Sequence, residues 1–172
     1  MKTWLKGVAI AAVHVGLVGS LGAKLLYDRA TQPRVWARSA PYDPSLPIRG
    51  RYVSLQVVVE PIGLKQPKPG APWDSSQSMT LHVEGDRLIG RPIPSAAPSD
   101  LRIRLIQRQG EQLAVLDRPV AFFIPEDIPD PSLRPAGEEL WVEVTIPENG
   151  PPRPIRLGVK KGDGPIEPLE HR

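Results

Sequence analysis

Residues 51–60 read RYVSLQVVVE, and this stretch decides the fold of most of the chain. Val53, Leu55, Val57 and Val59 alternate with Tyr52, Ser54 and Gln56. A period of two marks a strand with one buried face and one polar face. Pro61 ends it, because proline cannot donate to a strand ladder.

Downstream the pattern repeats. In SMTLHVEGDRLIGRPI (78–93), Met79, Leu81 and Val83 point one way, Gly85 and Asp86 turn, and Leu88 and Ile89 return. In LRIRLIQRQGEQLAVLDRPVAFFIP (101–125), Leu101, Ile103 and Leu105 face inward and Arg102 and Arg104 outward, with a turn at Gln109 and Gly110. ELWVEVTIP (139–147) places Leu140, Val142, Val144 and Ile146 on one face. After a turn at residues 147–150, RPIRLGVKK (153–161) adds Ile155, Leu157 and Val159. Residues 61–77 and 91–100 are loops rich in Pro, Gly and Ser. The 22 prolines in 172 residues argue against a helical domain. The predicted fold is mainly β, an antiparallel sandwich or partly open barrel of about six or seven short strands.

Upstream, residues 28–49 hold several prolines and no period, which predicts a Pro-rich stalk. Before it, GVAIAAVHVGLVGSLGA (7–23) has no charged side chain and is bracketed by Lys2, Lys6, Lys24 and Arg29. With Lys24 snorkelling outward, residues 7–27 are long enough to cross a bilayer, and Tyr27 falls at headgroup level. A cleaved signal peptide is the rival reading, since Lys2 and Lys6 also make a basic n-region. Weak cleavage sites and the apolar Leu25 and Leu26 favour a retained anchor. Residues 1–6 form a cytoplasmic head, residues 50–161 an extracytoplasmic β domain, and residues 162–172 a flexible tail. Ala12, Gly16 and Ser20 share a helix face that lets a second helix approach. His14 reads as a tolerated neutral side chain within the span.

The net charge of +3 belongs to the anchor. Of 22 Lys and Arg, four lie in residues 1–30; of 19 Asp and Glu, one does. The remainder holds 18 of each, so the domain has no net field for a polyanion, which excludes nucleic acid as its expected partner. The absence of cysteine removes disulfides, thiolate metal sites and a Cys nucleophile. No metal site, cofactor site or small-molecule substrate is identifiable, and no catalytic residue is assigned. His82 is a surface position and His171 is in the tail. Glu126, Asp127 and Asp130, like Glu138 and Glu139, lack calcium-loop spacing and read as solvated acids. Ser54 would need a neutral lysine to act as a nucleophile, and Lys65 and Lys68 lie in a loop. Arg102, Arg104 and Arg108 alternate on one strand and form a possible anion-binding stripe.

PYDPSLPIRGRYVSLQV (41–57) resembles the motif of the bacterial GDYXXLXY family of membrane-anchored proteins. Gly50, Tyr52 and Leu55 match it, while Arg51 and Val57 replace its Asp and final Tyr. Phe122, Phe123, Ile124, Pro125 and Glu126, and the closing WVEVTIPENGPPRPIRLGVKKG, are similar to the family as well. The resemblance implies an N-terminal anchor in the bacterial inner membrane, a periplasmic or otherwise extracytoplasmic β-rich domain, and a multi-pass membrane protein as partner. It supplies no catalytic residues. The sequence thus reads as a non-enzymatic accessory or interaction subunit of a membrane complex. The alternatives are a membrane-associated hydrolase built on Ser54 or a module that binds anionic ligands or the envelope.

Overall fold

The computed structural model describes residues 3–40, 52–63, 76–93, 101–108, 110–125, 128–148 and 150–169. Two compact units divide it, Met1–Gln32 and Pro33–Arg172. The first is one helix, α1 (Thr3–Thr31). Its segment Trp4–Thr31 is long and apolar enough to cross a membrane, and none of its most apolar stretch is buried. Twenty residues of helix rise about 30 Å, the thickness of a hydrocarbon core. Leu17, Val18 and Leu26 are exposed, as an apolar solvent would require. Its two polar groups near mid-span are satisfied within the helix. His14 Nδ1 lies 2.8 Å from the Ile10 carbonyl, and Ser20 donates to the Leu17 carbonyl at 2.8 Å.

The second unit is mainly β, as the alternation predicts. Its strands are β1 (Arg34–Ala40), β2 (Tyr52–Val57), β3 (Glu60–Pro61), β4 (Gln77–Glu84), β5 (Arg87–Pro92), β6 (Arg102–Arg108), β7 (Glu111–Leu116), β8 (Val120–Phe123), β9 (Glu138–Thr145), β10 (Arg153–Lys161) and β11 (Ile166–Pro168). One sheet has the order β11-β10-β9-β1-β2-β8 and the other β3-β5-β4-β6-β7. All pairs are antiparallel except β3 with β5.

The stretch 52–61 joins the two sheets. Val58 donates to the Arg38 carbonyl in the first sheet and bridges Val115 of β7 in the second. Val59 then donates to Ala114, and Glu60 and Pro61 pair with Ile89 and Gly90 of β5. Both edges of the second sheet therefore reach residues 58–61, and that sheet closes on itself. Gly90 is required there: a Cβ would stand 2.9 Å from Val59 Cγ1. The core runs without a break from Val59, Met79 and Ile103 to Leu55, Val142, Val144 and Leu157 of the first sheet.

Three local readings need correction. Residues 34–40 are not stalk. They form a central strand in register with β9, from Arg34 opposite Thr145 to Arg38 opposite Trp141. The pattern was faint because its inward positions are Val35, Ala37 and Ser39, which carry little apolar area. The tail expected to be flexible contributes β11, and Leu169 donates to the Leu157 carbonyl at 2.9 Å. Gln56 is not on a solvated face; it is 3% exposed. It sits opposite Ala40, which joins Leu113 and Val115 in a second apolar cluster, so the other sheet covers this corner.

Candidate functional site

Opposed residues in neighbouring strands share a face, so the register assembles the outer surface of the first sheet. Trp36 and Arg156 both oppose Glu143, and Arg38 and Gly158 both oppose Trp141. Trp36 lies over Gly158, whose missing side chain leaves room for the indole. The Arg156 guanidinium stands 5.3 Å from the Trp36 ring centroid, and its Nε donates to Glu143 Oε2 at 2.7 Å. Glu143 is 7% exposed, so this is a partly buried charge held by one arginine. Lys160 stands 5.5 Å from the Trp141 ring centroid.

At the far end of this face a groove of about 640 Å³ opens beside residues 132–140. Arg38, Arg108, Arg134 and Lys160 line it with Glu111, Glu138, Glu139 and Asp163. Arg38 bridges Glu111 at 3.3 Å and Glu139 at 3.1 Å, and Trp141 Nε1 donates to Glu139 at 3.2 Å. Glu138 holds Lys161 at 3.3 Å and Arg134 at 3.8 Å. Four cations facing four acids largely compensate one another, so the groove carries no net charge for an ionic ligand.

Ser54 lines this groove. Lys160 also lines it but lies three strands away, which is about 14 Å and beyond proton-transfer reach. Lys65 and Lys68 lie outside the described residues. Among the described residues no group of three or more His, Cys, Asp or Glu could hold a metal. His82 is exposed, with Nε2 3.1 Å from Thr80 Oγ1. Asp130 accepts from the Ser132 amide at 2.8 Å and shapes its own loop, while Glu126, Asp127 and His171 fall outside the described residues.

The arginines of β6 do not converge. Arg102 is exposed opposite Ser78, Arg104 stands 3.9 Å from Asp117, and Arg108 opposes Glu111 at the groove. Arg102 and Arg108 are about 20 Å apart along the strand. Ile106, between Arg104 and Arg108 on the same side, packs into the second apolar cluster.

Two residues of the motif resemblance meet, Tyr52 and Phe123. Gly50 and Glu126 lie outside the described residues. Leu55 is fully buried, Ile124 is 7% exposed and Pro125 is half-buried. Tyr52 pairs directly with Phe123 across β2 and β8. Their rings touch edge to face, with centroids 5.6 Å apart and planes at 74°. Both remain more than half exposed. Sequence reading singled out each residue but not their contact, which depends on strand order. The tryptophan–cation stacks were also missed; the only hint was two tryptophans on strands otherwise poor in aromatics.

Comparison with protein-family models, with curated proteins and with solved structures gives no match.

Proposed function

We propose that the chain is a single-pass, membrane-anchored accessory subunit whose β domain binds a multi-pass membrane protein and catalyses nothing itself. The N-terminus lies in the cytoplasm and the domain on the extracytoplasmic side of a bacterial inner membrane, in keeping with the family resemblance. The observation that carries this reading is the Tyr52–Phe123 pair. Two aromatic rings, preorganised against each other and more than half exposed, are what a protein partner can use as an anchor. The groove supports the same reading, because Arg38, Glu111, Glu138 and Glu139 of its lining are already paired within the domain. The test is a photo-crosslinking amino acid at position 123 in native membranes. A discrete adduct with one multi-pass protein, lost in Tyr52→Ala, supports the reading. A domain that yields no adduct at 123 while remaining in the membrane contradicts it.

A further inference from the structure

The chain enters the β domain at Pro33, whose carbonyl accepts from the Ile146 amide at 3.0 Å. Only Gln32 and Pro33 separate α1 from β1. Three Cα steps of extended chain span at most about 11 Å. With α1 in a bilayer, the start of β1 therefore lies within about that distance of the helix's end.

That end is basic and aromatic. Arg34 and Arg153 flank Thr145 in one row of the outer face. In the next row are Trp36 and Arg156, stacked as cation on ring. Among the described residues of β9 and the turn after it, the acids beside these arginines are Glu143, which Arg156 holds, and Glu148. Arginine offers five N–H donors, so one partner within the protein leaves others for a phosphate. Indole rings favour the headgroup layer. We propose that Arg34, Trp36, Arg153 and Arg156 form a docking surface for anionic phospholipid headgroups. This surface holds the entry end of the first sheet, and the β9–β10 turn with it, at the headgroup layer. It is separate from the β6 arginines and rests on the reading of α1 as an anchor.

The chain lacks cysteine, which makes a labelling test direct. Full-length Pro151→Cys and Asp163→Cys variants would carry a nitroxide in lipid nanodiscs. Residue 151 lies in the β9–β10 turn, and residue 163 follows the other end of β10, about 30 Å away. In discs with about 30 per cent phosphatidylglycerol, collision with a water-soluble nickel chelate should fall roughly fivefold at 151 relative to 163. Pure phosphatidylcholine discs, about 0.5 M salt, or Arg34→Gln with Arg153→Gln should each restore it. Equal accessibility at 151 and 163 in the anionic discs, with the chain still embedded, overturns the docking surface alone. Shielding at 151 that ignores lipid charge and salt also overturns it. A chain that washes out of the discs overturns the anchor as well.

Discussion

Gly158→Ala tests the packing of the outer sheet face. A Cβ at this position stands 2.7 Å from Ile166 Cγ2 and 2.9 and 3.0 Å from Trp36 Cζ3 and Cη2. Carbon atoms rest at about 3.5–4.0 Å, so each contact is short by roughly 0.5–1.3 Å. The indole is stacked with Arg156, which Glu143 holds in turn. Ile166 sits on a three-residue edge strand and is the part that gives way. Overpacking of this kind costs about 1–3 kcal/mol, offset by the roughly 0.5–1 kcal/mol that alanine gains over glycine in an extended strand. The net expectation is a loss of up to about 2.5 kcal/mol and a fall in Tm of up to about 10 °C. Thermal unfolding of the full chain in detergent, followed by near-UV circular dichroism, reads it. Adding Ile166→Ala should lessen the further cost of Gly158→Ala, since one of the clashing groups is gone. A Gly158→Ala chain more stable than the parent would show that Trp36 does not lie where the register puts it.

Other outcomes follow from the same packing. Leu55→Ala opens a cavity in the shared core and should cost about 2–5 kcal/mol, while Ser54→Ala on the outer face should cost well under 1 kcal/mol; urea midpoints compare them. Arg156→Gln leaves Glu143 without its cation and should cost about 1–3 kcal/mol, and adding Glu143→Gln should recover much of that in a double-mutant cycle. Glu111→Gln breaks a half-exposed pair with Arg38 and should change stability by under about 0.5 kcal/mol, because Arg38 keeps Glu139.

The alternation of apolar residues was enough to place the long strands. Val53, Leu55, Val57 and Val59 are all buried, as are Leu140, Val142, Val144 and Ile146. The hairpins β4–β5, β6–β7 and β9–β10 turn at or beside the glycines the sequence marks. What stayed hidden was whatever depends on a partner strand. β1 has weak inward side chains and owes its place to β9, and Gln56 is covered by a sheet from another part of the chain. The break at residue 58, where one strand leaves the first sheet for the second, has no local signature. The meeting of Tyr52 with Phe123 is illegible for the same reason, since 70 residues separate them and only the β2–β8 pairing brings them together.

In the proposed topology α1 holds an intact domain outside the cytoplasm. A C-terminal reporter active only outside the cytoplasm, read with the mass of the chain retained in carbonate-washed membranes, tests this. The expected result is an active reporter on a membrane-bound chain that keeps its N-terminal segment. A silent reporter, or an active one on a soluble chain beginning after residue 20, would contradict it.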